Sequence, residues 1–384
     1  MKNMHKKFKS KFMLDPKIVY LNHGSFGACP KNIFDSLIKY QKLLEFEPVK
    51  HLVHDVFEYL EKSRESLGNY INCNKDDVVF SPNPSTALNT VIRSLDLKEG
   101  DEILTTNHEY GALDKTWKYT CKKRGAKYIQ KTIPLPLESK EDFINIFTDG
   151  ITKKTKVIFL SHITSPTALI FPVKEICDIA REKNILTIID GAHAPAQIKL
   201  DIKDLNPDIY VGACHKWMCS PKGVSFLYSK KEYQNKIDPL VISWGYEPEK
   251  VNNHQFIDYH QWQGTKDMSA FLTIPETINF LEKNNWEKVT KECSKINLWA
   301  KKEINSLLNE EALSKDEFNG QMCSFYYKPK KDLIDFNIKF YLKYKIQLPF
   351  IEWDNKTLFR ISIQAYNSKN DIHTLLNALD DLKK

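Results

Sequence analysis

Apolar residues along this chain alternate between a helical period and short continuous runs. Residues 32–46, NIFDSLIKYQKLLEF, put Ile33, Phe34, Leu37, Ile38 and Leu44 on one face, which predicts an amphipathic helix. DDVVFSPNPSTALNTVIRSL predicts a strand ending near Ser81, a proline-broken turn, and a helix whose first turn holds Ser85, Thr86 and Ala87. EILTTNHEYGALDKTWKYTCKKRG repeats the form, with a strand over 102–106, a loop, and a helix stopped by Gly125. Next come KVIFLSH, the helix VKEICDIAREKN with Val173, Ile176, Ile179 and Ala180 facing inward, and the strand-like runs ILTIID, DIYVGA and GVSFLY. Strands apolar throughout, separated by amphipathic helices, are what a mainly parallel sheet covered on both faces requires, so the fold class is α/β.

After residue 265 the pattern changes to long helical stretches, SAFLTIPETINFLEKN and WEKVTKECSKINLWAKKEINSLLNE, then the strand-like QMCSFYYK, a helix near 331–344, and TLFRISIQ. There is no repeat and no long Gly/Ser linker. The expected organisation is a basic arm at 1–14, a large α/β domain at 15–265 and a smaller α+β domain at 266–384.

A chain of 384 residues with 42% hydrophobic content can bury a substantial core. The net charge of +7, from 56 basic against 49 acidic residues, is spread over scattered lysines, which argues against nucleic-acid binding. No apolar stretch approaches a membrane span. The basic run MKNMHKKFKSKF lacks the apolar segment of a secretory leader and contains no arginine, so it reads as a solvated arm ahead of a mitochondrial presequence. Eight cysteines at irregular intervals, with no CxxC pair, read as reduced thiols in a cytoplasmic protein.

In open α/β sheets ligands collect at the carboxyl ends of the strands. Five predicted ends here carry chemistry: Ser85 and Thr86 opening a helix, His108 to Tyr110, His162, Asp190 with His193, and Lys216 in DIYVGACHKWMC. Each has a plain structural alternative. Ser85 could be an N-cap, Tyr110 half-buried packing, Asp190 the cap of the next turn, His193 a satisfied core histidine, and Lys216 a turn lysine snorkelling to water. All five at the ends of one sheet point instead to a built site, with Lys216 as an amine that desolvation keeps nucleophilic. GxGxxG and GxxxxGK[ST] are both missing. A metal at Asp190, His193 and His215 is the weaker reading, because a lysine beside a dication is repelled.

LTIIDGAHAPAQ, and DIYVGACHKW with its lysine 216 − 190 = 26 positions after the aspartate, resemble the core of the class V, fold-type I pyridoxal-phosphate enzymes. YLNHGSFGACP, HEYGA, WQGTKDMSAF and FRISIQAYN extend the match in order, and the sequence most resembles the isopenicillin N epimerase-like branch, which also contains carbon–sulfur lyases.

The resemblance implies roles. Lys216 would carry pyridoxal 5'-phosphate as an imine and act as base, and Asp190 would pair with the pyridine nitrogen. Ser85, Thr86, Ala87 and His215 would hold the phosphate, Tyr110 (alternatively His108) would stack on the ring, and His162 and His193 would lie near the phenolic oxygen. Thr265 matches a residue that reaches the phosphate of a neighbouring subunit, which implies a homodimer with shared sites. Arg360 would take the carboxylate of a small amino-acid substrate, with Asn22 and His23 nearby. Where epimerase-like relatives usually carry an aromatic residue and an arginine, EPVKHLVHDV has His51 and His54.

Three functions are open on this reading. An epimerase or racemase needs a second acid, for which His23, His108 and Tyr110 are candidates. A carbon–sulfur β-lyase needs Lys216 alone. A non-catalytic binding protein would have no use for an intact Lys216 and Asp190. Persulfide chemistry of the desulfurase kind is disfavoured, because the run 331–359 ahead of Arg360 has no cysteine, and Cys323 reads as core.

Overall fold

The computed structural model describes residues 4–249, 254–329 and 332–383. Its centre is a seven-stranded sheet in the order Val78–Ser81, Ser225–Ser229, Ile209–Ala213, Leu186–Gly191, Thr155–Ser161, Glu102–Thr106, Lys127–Lys131. Strand Ser225–Ser229 runs antiparallel to both neighbours, and the remaining pairs are parallel. Alternate residues feed two cores. Val157 and Phe159 pack with Ile103, Ile188 and the helices Pro84–Ser94 and Gly111–Arg124, whereas Ile158 and Leu160 face Leu104, Ile189 and Tyr210. That double burial is why the strands read as unbroken apolar runs. Lys127–Lys131 is the exception: it closes the sheet as an edge, with a lysine at each end.

Chain order reverses between Glu102–Thr106 and Thr155–Ser161, because the chain steps out to Lys127–Lys131 before returning on the other side. This is a topological switch point, where the loops leaving adjacent strands diverge and open a crevice. Residues 107–110 and His162 lie at its mouth, followed across the sheet by Asp190 and Lys216.

The smaller unit is an antiparallel sheet, Phe350–Trp353, Lys356–Ser362 and Met322–Tyr326, backed by helices Trp286–Leu308 and Lys369–Asp381. Helix Ile274–Lys283 instead packs on Val56–Ile71 and Lys31–Phe46 of the large unit, so the packing changes partner at Trp286 rather than at residue 266. The basic arm is not a solvated tail. Helix Met4–Lys9 buries Phe8 against Trp286, and Phe12 packs on Phe280 and Tyr366, while most of its lysines stay in water. Helix Lys31–Phe46 buries Ile33 but leaves Leu43 and Phe46 exposed. Among the described residues no helix is long and apolar enough to cross a membrane.

Candidate active site

Lys216 follows strand Ile209–Ala213 in a turn held from below. His23 Nε2 lies 3.0 Å from the Lys216 carbonyl oxygen, and Nδ1 accepts from the Ala28 N–H at 3.2 Å and lies 2.9 Å from the Tyr366 hydroxyl. Gly27, at φ +59°, brings its backbone so close that a Cβ there would stand 2.0 Å from the His215 carbonyl oxygen. Lys222 Nζ donates to the Gly27 carbonyl at 2.6 Å. The NHGSFG segment is thus the bed on which the Lys216 turn rests. His23 is fully buried and spent on this scaffold, and burial pushes its pKa down to about 3. That placement corrects the expectation of a substrate-side acid at His23: its ring nitrogens have partners inside the protein.

At the other end of the side chain, Lys216 Nζ lies 3.3 Å from His193 Nε2, and the Trp217 indole N–H donates to His193 Nδ1 at 3.3 Å. Burial lowers the ammonium pKa to about 8, partly offset by the Asp190 charge and reinforced by Arg360. His193 is pushed well below its ordinary value by burial, then by Lys216, Arg360 and His215. A neutral imidazole therefore faces an amine with a substantial neutral fraction, the form that attacks a carbonyl.

Asp190 ends strand Leu186–Gly191, paired with Ser161 on one side and Val211 on the other. Its Oδ1 accepts from the Ala192 N–H at 2.9 Å, the one side-chain hydrogen bond of Asp190 among the described residues, which leaves Oδ2 open. Burial raises its pKa, while the Ala192 bond and Lys216 hold it down. His162 donates its backbone N–H to the Asp190 carbonyl at 2.8 Å, and its Nδ1 lies 2.9 Å from the Tyr210 hydroxyl. Gly191 is needed here, because a Cβ would stand 2.1 Å from that hydroxyl.

The helix Pro84–Ser94 begins with Asn83 as cap, whose Oδ1 accepts from both the N–H and the hydroxyl of Thr86. Ala87 donates its N–H to the Asn83 carbonyl and is buried. Of the three residues of this helix expected at the phosphate, Ser85 alone keeps both N–H and hydroxyl without a partner among the described residues. His215 has Nδ1 on the Val224 carbonyl at 2.8 Å, which leaves Nε2 available.

Arg360 is 2% exposed. Its Nη1 donates to the Ser165 carbonyl at 2.5 Å and to Ser165 Oγ at 3.2 Å, and Nη2 donates to Ser25 Oγ at 2.8 Å. Nε is buried with no partner, and so is the Oδ1 of Asn22. Burial lowers the guanidinium pKa to about 10, with Tyr110 acting the other way. Tyr110 is half exposed at the start of helix Gly111–Arg124. His108 points the opposite way. It is fully buried, with Nδ1 2.8 Å from Thr167 Oγ1, Nε2 2.9 Å from the Ile133 carbonyl, and its ring against Trp353 and Phe171. This corrects the alternative of His108 as the stacking ring or acid, because neither nitrogen is free and the ring lies in the core.

Thr265 is exposed in the bend after helix Gln255–Gln261, and among the described residues nothing links it to the Lys216 group. His51 is buried in a π-helical turn, His51–Asp55, whereas His54 is exposed.

One residue of the site was missed by sequence reasoning. Glu109, between His108 and Tyr110, spans the switch point: its Oε1 accepts from Thr106 Oγ1 at 2.7 Å, and Oε2 accepts from the Ser161 N–H at 2.9 Å and hydroxyl at 2.6 Å. It is buried, and its carboxyl is pushed up to about 8 by desolvation, against its hydrogen bonds and with Asp190 and Asp114 adding to the rise. Ser161 lies 52 positions away, so only the sheet order brings the two together.

Family models place residues 19–375 in aminotransferase class-V, and the chain belongs to that family, the fold-type I enzymes whose cofactor is pyridoxal 5'-phosphate. Among characterised proteins it is 27% identical to the isopenicillin N epimerase of Amycolatopsis lactamdurans, over 97% of this chain and 96% of the relative. It is 24% identical to the hercynylcysteine sulfoxide lyase of Schizosaccharomyces pombe, with the same 97% and 96% coverage. The solved cysteine desulfurase of Thermococcus onnurineus superposes with a TM-score of 0.83 at 18% identity, covering 98% of this chain and 97% of that one, a likeness of fold.

The residues fit such a cofactor. An unpartnered carboxylate oxygen at Asp190, a desolvated amine at Lys216, a free N–H and hydroxyl at Ser85 and an orphaned guanidinium N–H at Arg360 are the donor set that a pyridine nitrogen, an aldehyde, a phosphate and a carboxylate require.

Proposed function

We propose that this chain is a pyridoxal-phosphate enzyme acting at the α-carbon of an amino acid, of the isopenicillin N epimerase type. The observation that carries the reading is the juxtaposition of a Lys216 amine, its pKa lowered to about 8, with Asp190 at the next strand end. When bound, the cofactor supplies an electron sink for the pair left behind as a bond at Cα breaks. Asp190 offers its open oxygen to the ring nitrogen and holds a proton there. Lys216 would hold the aldehyde and would serve as the proton carrier at Cα. Ser85 and His215 take the phosphate, Arg360 the substrate carboxylate through its unsatisfied Nε–H, and Tyr110 the face of the ring. His162, locked to Tyr210, and His193 line the phenolic side.

A carbon–sulfur β-lyase acting on a cysteine conjugate or sulfoxide is the second reading, supported by the equal coverage of the sulfoxide lyase. Persulfide transfer is disfavoured on this chain's own thiols. Seven of the eight cysteines are buried, Cys73 is half-buried with its pKa pushed up to about 12, and Cys323 is engaged by Asn297 in the core. We place Thr265 at the phosphate of a second copy. Exposed Phe46 and Trp244, 80% and 84% accessible, support a homodimer, and the free thiols suit the cytoplasm.

Purified chain mixed with pyridoxal phosphate should develop a visible band that borohydride removes and that Lys216→Ala lacks. Colourless protein would favour a non-catalytic binding protein. In deuterated water, deuterium at Cα with inversion of single-enantiomer amino acids marks an epimerase. Pyruvate and ammonia from cysteine conjugates mark a lyase, and neither outcome across a broad panel would count against both.

A further inference from the structure

The Trp217 side chain is wholly buried directly after Lys216, yet its indole N–H is not spent on a backbone carbonyl: it points at His193 Nδ1, 3.3 Å away. An indole nitrogen can only donate, so Nδ1 must accept. His193 is buried at 3% exposure, and the groups that face it, Lys216, Arg360 and His215, are all basic, so it stays neutral and carries one ring proton. That proton must sit on Nε2, 3.3 Å from Lys216 Nζ. An Nε2–H donor requires an acceptor, and Lys216 accepts only as a neutral amine.

We propose that Trp217 is a positioning residue that fixes His193 in its Nε2–H tautomer and thereby aims a hydrogen-bond donor at the Lys216 nitrogen. The inference rests on Lys216 being the cofactor lysine, but the tautomer itself is a property of the protein alone. The charged groups around the amine are Asp190, which favours the ammonium, and Arg360, which opposes it. Without the indole donor, the Nδ1–H tautomer becomes accessible, Nε2 turns into an acceptor, and the ammonium form of Lys216 gains a partner.

The test uses the full chain, labelled with nitrogen-15 in its histidine rings, without cofactor. The His193 resonances, assigned by their loss in His193→Gln, should show an unprotonated Nδ1 and a protonated Nε2 in the wild type. A protonated Nδ1 there overturns the proposal whatever the variants do. Trp217→Phe should mix the two tautomers. It should also raise the apparent pKa of the Lys216 amine, read from the pH dependence of colour formation with pyridoxal phosphate, by about half a unit to one unit, or about 3- to 10-fold less neutral amine at neutral pH. In a His193→Leu background, where the side chain has no donor or acceptor for the indole to orient, Trp217→Phe should have no further effect. An equal shift in both backgrounds would mean that the indole acts by packing alone and would refute the proposal. Absence of colour in the wild type, with the tautomer intact, would strike the cofactor assignment instead.

Discussion

Glu109 gives a prediction whose sign can be worked from the site. The carboxyl is buried at the switch point with Asp190, Asp114 and Tyr128 as its titratable neighbours and no ion pair among the described residues. Burial disfavours the charged form of a carboxyl that has no cation of its own, and the Asp190 and Asp114 charges add to this, so folding raises the Glu109 pKa from 4.5 to about 8. Between those values the folded chain binds more protons than the unfolded one. Stability tied to this group is therefore complete below the unfolded pKa and is lost as pH rises towards the folded one.

Glu109→Gln removes the titration while keeping the hydrogen bonds, since the amide oxygen can accept both Ser161 donors and the amide N–H can donate to Thr106 Oγ1, which already accepts from the His108 N–H. The stability of the variant relative to wild type should widen by about 1.4 kcal/mol per pH unit across that window, reaching about 3 kcal/mol near neutral pH, and level off above about pH 8. Urea unfolding of both proteins at matched concentration, from about pH 5 to about pH 9, reads this directly, because the other carboxyls titrate alike in both and cancel. A pH-independent gap, or a variant less stable at neutral pH, would mean that Glu109 is ionised and gains charge-assisted bonds from Ser161 and Thr106, and the reasoning would fall.

Other outcomes follow from the same geometry. Colour formation with pyridoxal phosphate should be half-maximal near pH 8, where the Lys216 amine loses its proton, and a midpoint at an ordinary lysine value of about 10.4 would refute the desolvated amine. On the proposed carboxylate role, Arg360→Lys should lower kcat/KM by about 10- to 100-fold, mostly through KM, because an ammonium cannot hold Ser165, Ser25 and a carboxylate with one planar fork; steady-state kinetics decides it. Gly27→Ala should destabilise the chain by at least about 2 kcal/mol in thermal or urea unfolding, since its Cβ meets the His215 carbonyl at 2.0 Å with φ at +59°.

The strand runs, the helix stop at Gly125 and the polar strand ends were legible because each is written locally, in period, cap or turn chemistry. The edge strand Lys127–Lys131 was not, because its lysines and half-buried positions carry no apolar run. Nor does any local pattern encode that Ser225–Ser229 runs antiparallel, or that Val19–Tyr20 pairs with Ile346–Gln347 across almost the whole chain. In the candidate site, residue type marked polar strand ends but could not say which way a side chain turns. His108 and Tyr110 are two apart on one loop, yet one is sealed by Thr167 and Ile133 and the other is half exposed. His23 sits in the expected segment but is consumed by Lys216, Ala28 and Tyr366.

Those two placements narrow the choice between inversion and elimination. Inversion at Cα needs proton carriers on both faces, whereas elimination needs only the one that removes the proton. Lys216 and Tyr110 follow strands separated by two others, Leu186–Gly191 and Thr155–Ser161, and so reach the crevice from different strand ends. With His23 and His108 bonded through both nitrogens, Tyr110 is left as the second carrier among the sequence candidates. Tyr110→Phe keeps a ring to stack and removes only the hydroxyl. In an epimerase it should cut inversion by at least about 100-fold while Lys216 still exchanges the Cα hydrogen of one enantiomer for deuterium with retention. In a lyase, pyruvate release should survive the change. Inversion at an undiminished rate in the variant would remove Tyr110 from the mechanism and leave movement of Lys216 itself as the route to the second face.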